Sequence, residues 1–345
     1  MAAGEGRDGS GAPRDAAGRP TLKTIAYMTG LGVTTVSRAL HDAPDIGQAT
    51  KERVRLVASQ IGYRPNRAGV RLRTGKTSVI SLILSVETEV LGPTSHLVYG
   101  ISERLAGSPY HLIVTPYNPR NDPLDPLRYI VETASADGII FSRTEPRDAR
   151  VRYLHEHGLP FATHGRTDMG LSHPFHDFDN ARYAEIAVER LAARGRRRLA
   201  FLPPPGNLTY GHHMTAGFER AVDRLDLADV AMRDINTDSG HRAIEDEVTR
   251  MMASPRRRPD GFVCGSANAA IAVIGAAEAA GYAIGRDFDL AVKDSFRLMP
   301  KFRSDIIAVH EDFRAAGHAL ADAVVRTLDG VAPEELQTIE VPPGP

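Results

Sequence analysis

From position 79 onward, short apolar runs alternate with amphipathic stretches. The runs are VISLILSV (79–86), YHLIVT (110–115), DGIIFS (137–142), RRLAFLP (197–203), DGFVCG (260–265) and DLAV (289–292). Between them lie stretches such as 181–194 and 267–280, whose apolar positions fall at helical spacing. Runs that are apolar at successive positions suit strands covered on both faces. Buried strands alternating with helices predict doubly wound parallel sheets. About 260 residues of this pattern exceed what one such sheet usually carries, so the body is read as two α/β lobes. The cleft between them is the expected ligand site.

Ahead of the body the pattern is different. Residues 20–62 predict three short helices. Thr21 caps the first, which runs to about Thr29 and stops at Gly30. The second begins near Val33 and ends near Leu40. The third runs from about Gln48 to Ile61, with Val54, Val57, Ala58 and Ile61 on one stripe and Gly62 as its stop. Residues 1–19 have almost nothing to bury and are expected to be a disordered tail. Residues 63–78 form a basic connection, and the two-lobed body spans 79–341.

Charge sharpens this division. The chain of 345 residues has 42 Lys+Arg against 43 Asp+Glu. Within residues 20–78, however, ten Lys and Arg face only Asp42, Asp45 and Glu52. A basic head on an acidic body points to an anionic partner for the head, the alternative being a solvated charged face. Cys264 stands alone, so neither an internal disulfide nor a Cys-based zinc site can form, which fits a reducing compartment. The first twenty residues lack the apolar segment of a secretory signal, and no run is long enough to span a membrane. The expected location is cytoplasmic.

The segment TLKTIAYMTGLGVTTVSRALH (21–41) has the layout of a helix-turn-helix. Ile25, Ala26, Val36 and Leu40 can form its small core, and Gly30 permits the sharp turn. That arrangement leaves Val33, Thr34, Ser37 and Arg38 on the outer face of the second helix. Arg38 can donate two hydrogen bonds to a guanine edge, Thr34 can donate or accept, and Val33 can touch a thymine methyl. An ordinary helical hairpin with a polar outer face is the alternative. The following GYRPNRAGVRLRTGKT (62–77) carries five cations and a helix-weakening Gly69. Such a helix should form only when DNA neutralises it, freeing Leu72 to wedge between base steps in the minor groove. A flexible linker is the competing reading.

Taken together, TVSRAL (35–40), GYRPN (62–66) and the alternating body resemble the LacI/GalR family of bacterial transcription regulators, over about residues 21–341. The resemblance implies a homodimer that binds a palindromic operator through the helix-turn-helix and a hinge helix. It also implies a body like periplasmic sugar-binding proteins, with two lobes joined by three crossovers around a small effector. Matched position by position, Val33, Thr34 and Arg38 would read bases. Thr35 and Ser37 would hold phosphate or orient the helix, Tyr63 and Asn66 would touch the DNA backbone, and Leu72 would be the wedge. The chain departs from the family pattern at Gly32, where Ser is usual, and at Gly69, where Ala is usual.

For the effector, the resemblance implies contacts from Leu91, Pro93, Arg166, Asp177, Asn268 and Asp294, with Asp179 either in the cleft or capping the helix after it. The family's arginine three residues before Gly217 is replaced by Met214, so the principal clamp is absent or moved, with Arg166 or His213 as candidates. Vicinal hydroxyls need paired donors and acceptors, which carboxylates and amides supply. The implied function is repression of a carbohydrate-utilisation operon, relieved by a mono- or disaccharide. A corepressor-dependent regulator and a sugar receptor without a DNA role are the alternatives. An α/β enzyme is disfavoured. No GxSxG, phosphate-binding GxxxxGK[ST] or dinucleotide fingerprint follows a predicted strand. The adjacent His212 and His213 cannot make the i, i+4 pair of a zinc helix, so no metal or cofactor is expected.

Overall fold

A computed structural model describes residues 12–15, 17–63, 71, 75–85, 93–118 and 120–344. The chain divides into two compact units, Met1–Thr77 and Ser78–Pro345.

The first unit contains three helices, α1 (Leu22–Thr29), α2 (Val33–Leu40) and α3 (Gln48–Gln60). Their ends are set by local chemistry. Thr21 and Thr24 cap each other reciprocally, each hydroxyl accepting the other's backbone N–H. Gly30 ends α1 at φ 70°, a left-handed conformation that a side chain would resist. The core is Ile25, Val36 and Val54, all fully buried, with Ala26, Ala39 and Ala58 filling the gaps where the helices approach. Leu40 and Tyr63 pack against it from the edge. The stretch expected to be a disordered tail makes a turn over residues 12–15 and 17–20, where the Asp15 carboxylate accepts the backbone N–H groups of Ala17 and Arg19.

The second unit has two sheets. Its first part runs β1 (Val79–Ser85), α4 (Thr94–Leu105), β2 (His111–Tyr117), α5 (Asp125–Thr133), β3 (Gly138–Phe141), α6 (Ala149–Glu156), β4 (Phe161–His164) and β5 (Phe175–Phe178). The chain continues through α7 (Asn180–Ala193), β6 (Arg198–Leu202), α8 (Thr209–Arg224), β7 (Ala228–Asp229), α9 (His241–Ala253), β8 (Gly261–Cys264), α10 (Ala267–Ala279), β9 (Asp289–Asp294), α11 (Met299–Phe302) and β10 (Ile307–His310). It ends with α12 (Phe313–Leu328) and β11 (Gln337–Glu340).

One sheet has the order β11-β5-β4-β3-β1-β2 and the other β10-β9-β8-β6-β7, every neighbouring pair being parallel. In each, the order reverses beside the first strand, which opens a crevice at the carboxyl ends of the strands. The expected two-lobed, doubly wound body is therefore present. The chain crosses between lobes after Phe178, where α7 packs on the second sheet, and after His310, where α12 returns to the first. After β11 it goes back again, and Arg190 on α7 donates to the Gly344 carbonyl at 3.1 Å. Helices α4 and α12 approach so closely that a Cβ on Gly317 would collide with the Leu97 carbonyl oxygen, and one on Gly100 with that of Arg314.

Candidate functional site

In the first unit, α2 buries Val36 and Ala39 and turns its other side outward. Val33 is 40% exposed, Thr34 and Arg38 are exposed, and Thr35 and Ser37 are half-buried at the flanks. This is the face the sequence assigned to base reading. Arg38 is held by Asp45 at 2.6 Å, while Lys51 and Arg55 share Asp42 at 3.1 and 2.8 Å. Gly32 caps α2 without a side-chain hydrogen bond. Tyr63 lies half-buried against the helical core, and this burial raises its phenol pKa. Asn66 and Leu72 lie outside the described residues, as does most of the expected hinge helix.

In the second unit, a cavity of about 450 Å³ lies between the lobes. The carboxyl ends of strands supply much of its wall. Ser142 and Arg143 follow β3, His164 ends β4, Asp177 lies on β5, Gly265 follows β8, Lys293 lies on β9 and Glu311 follows β10. Pro93, Thr94 and Leu97 close it from the start of α4, and Tyr210, Thr237, Asp238, Asn268 and Phe296 from the second lobe. Carboxylates and amides thus alternate with aromatic faces. That combination can hydrogen-bond hydroxyls and pack against C–H surface at once.

The polar floor is a buried ionic cluster at the crossovers. Lys293 Nζ lies 2.8 Å from Glu311 Oε2 and donates to Asn180 Oδ1 at 3.0 Å. The ammonium also sits 5.3 Å from the ring centroids of both Phe178 and Tyr210. His164 Nε2 is 3.5 Å from the other Glu311 oxygen. Burial alone would raise the Glu311 pKa, but Lys293 and His164 outweigh it and hold the carboxyl down to about 2. Asp177 behaves oppositely. Its burial raises the pKa, and Arg166 at 3.0 Å, with His164 and His213 nearby, only partly compensates.

Of the residues proposed for the effector, Pro93, Asp177 and Asn268 lie on the cavity wall, Asn268 bonded to His241 Nε2 at 3.0 Å. Leu91 lies outside the described residues. Arg166 is absent from the wall and pairs with Asp177 from behind. Asp294 is also absent from it. Its side chain is 1% exposed, and its two oxygens accept the backbone N–H groups of Phe296 and Met299, shaping the turn into α11. Asp179 caps α7 by accepting the Arg182 N–H. Met214 is fully buried and packs with Phe201 and Phe218, so it belongs to the core of the second lobe. The charged side chains on the wall that sequence reasoning did not select are Arg143, Asp238, Lys293 and Glu311; all but Asp238 sit at strand ends, where a doubly wound sheet places its ligands. Cys264 is buried, which pushes its thiol pKa up and leaves it unreactive. Among the described residues no group of three or more His, Cys, Asp or Glu could hold a metal ion, and no helix is long and apolar enough to cross a membrane.

Comparison with known proteins accords with both units. The profile described as "Bacterial regulatory proteins, lacI family" matches residues 21–66, and the "Periplasmic binding protein-like domain" profile matches residues 188–345. The HTH-type transcriptional regulator RafR of Escherichia coli is 31% identical over 327 residues, covering 93% of this chain and 96% of that protein. The HTH-type transcriptional regulator AglR of Rhizobium meliloti is 29% identical over 314 residues, covering 88% and 86%. Among solved structures, the lac repressor dimer bound to operator and the anti-inducer ONPF superposes with a TM-score of 0.78 at 18% identity, covering 94% of this chain and 97% of that one. The transcriptional regulator CelR–cellobiose complex gives 0.66 at 20% identity, covering 94% and 98%.

Proposed function

Because the chain belongs to the lacI family of bacterial regulatory proteins, whose members are DNA-binding transcriptional regulators of the helix-turn-helix type, we propose that it represses a carbohydrate-utilisation operon and is released when a small saccharide fills the cleft. In this reading it acts as a homodimer on a palindromic operator and has no catalytic activity. Val33, Thr34 and Arg38 read bases, and Thr35 and Ser37 orient α2 or hold phosphate. Tyr63, Asn66 and Leu72 serve the hinge. Pro93, Asp177 and Asn268 touch the effector, with Leu91 assigned by resemblance alone, while Arg166 and Asp294 support the wall from behind.

The observation that carries this reading is the cavity itself. It is bounded by both lobes and by two crossovers, so a ligand inside it bears on the angle between the lobes. Its mixed lining of carboxylates, amides and aromatic rings suits a polyhydroxylated ring. The relatives point the same way, since the CelR structure was solved with cellobiose. A fluorescence-polarisation assay with a palindromic duplex and a panel of neutral mono- and disaccharides tests it. The expected result is binding that weakens when a panel member is added. Binding strengthened by the sugar would make it a corepressor, and operator binding indifferent to the whole panel would remove saccharides as the effector class.

A further inference from the structure

The turn after β3 binds the second lobe with three successive residues. The Arg143 guanidinium pairs with the Asp238 carboxylate, the Thr144 carbonyl accepts the Thr209 N–H at 2.9 Å, and the Glu145 carboxylate accepts from the Asn207 side-chain amide at 2.9 Å. The turn is held in an unusual shape. Arg143 has φ 57°, a left-handed conformation that favours glycine, and its carbonyl accepts from Arg150 Nη2 at 2.8 Å. Arg150 is itself buried, paired with Asp148 at 2.7 Å and stacked on Phe141. On the opposite side, the Asp238 N–H is bonded to Asn236 Oδ1 at 2.9 Å, which fixes that loop. Arg143 and Asp238 both line the cavity, with side chains only 21% and 26% exposed.

We infer that this turn is a clasp between the lobes, and that its Arg143–Asp238 pair reads an uncharged vicinal diol of the ligand. The inference rests on the reading of the cleft as a saccharide site and narrows it to neutral sugars. One hydroxyl of a diol can accept from the guanidinium while its neighbour donates to the carboxylate. The diol then bridges the lobes without leaving either charge unpaired. An anionic group drawn to Arg143 would instead lie beside Asp238 and be repelled. The remaining wall gives no relief, because among the described residues it holds Arg143 and Lys293 against Asp177, Asp238 and Glu311. Arg143 thereby takes the clamping role that Met214, buried in the core, cannot fill.

The test uses the full chain, R143Q and D238N, each first checked for an unchanged melting temperature. Calorimetric titration with cellobiose, maltose, melibiose and glucose 6-phosphate gives the ligand arm. The expected outcome is that at least one neutral disaccharide binds, that both variants bind it at least tenfold more weakly, and that glucose 6-phosphate does not bind. Hydrogen exchange without ligand gives the second arm, in which the Thr209 amide should exchange at least tenfold faster in R143Q. Tighter disaccharide binding by D238N, wild-type affinity in either variant, or preference for the phosphate would overturn the diol assignment. Unchanged exchange at Thr209 would overturn the clasp. A wild-type chain that binds neither these disaccharides nor any member of the neutral mono- and disaccharide panel overturns the saccharide reading and the diol with it, whereas accelerated exchange in R143Q would still support the clasp.

Discussion

Glu311 is 2% exposed yet remains ionised, because Lys293 from the second lobe and His164 from the first both face it. Its folded pKa of about 2 lies below its ordinary 4.5, so the ionised form favours the folded state. That contribution is complete above pH 4.5 and disappears as the pH falls toward 2. Glu311→Gln should leave the Lys293 ammonium buried without its counter-charge and cost about 3 kcal/mol at pH 7 in a urea titration. The variant should also lack Glu311's share of the stability lost between pH 4.5 and 2, and so lose less over that range than the wild type. On α2, Arg38→Ala should lose about 1–3 kcal/mol of discrimination at one base position in each half-site. Equal weakening on every sequence would limit Arg38 to phosphate contact. The residue scale is also where the sequence was hardest to read. It pointed to Asp294, but successive strand residues face opposite sides, so on β9 it is Lys293 that meets the cavity and Asp294 that turns away. No periodicity in one strand reveals which of two adjacent polar residues lies on the ligand side.

Elements were legible where their determinants are local. The bounds of α1 and α2 follow from Thr21, Gly30 and the spacing of Ile25, Val36 and Leu40, all within twenty residues. Thr21→Ala should therefore cost about 1 kcal/mol in thermal or urea unfolding of the first unit. Of the strands that stood out, β1 and β8 are buried along their whole length, whereas β2, at the edge of its sheet, leaves Ile113 and Val114 exposed instead of covered on both faces. Strands β5 (FHDF) and β11 (QTIE) did not, because their pattern is short and polar. His176 is buried against Thr338, 162 residues further along the chain, while Asp177 is buried beside Arg166 from the preceding loop. Glycines carry similar long-range information. Gly317 looks like a weakness within a helix, yet it is the point where α12 touches α4. Gly317→Ala should destabilise the body by about 1–3 kcal/mol by forcing these helices apart, measured as a lower urea midpoint.

At the scale of the molecule, the charge division visible in the sequence coincides with the boundary between the two units. A chain lacking residues 1–77 should lose operator binding and retain its ligand affinity; loss of both would mean that the body does not fold independently. For the whole chain, operator affinity should fall steeply between 50 and 200 mM salt, roughly a thousandfold if about six phosphates are contacted. The connectivity of the body has a further consequence, for its synthesis. The first sheet begins at Val79 but receives β11 from the far end of the chain. While the ribosome is still working, β5 presents an open edge, and the slot for α12 over β3 and β4 stays empty. The head emerges early and can fold at once. Translation that halts before Gln337 would thus leave a finished DNA-reading head attached to a body with an adhesive flank, and such fragments should aggregate rather than accumulate as working regulators.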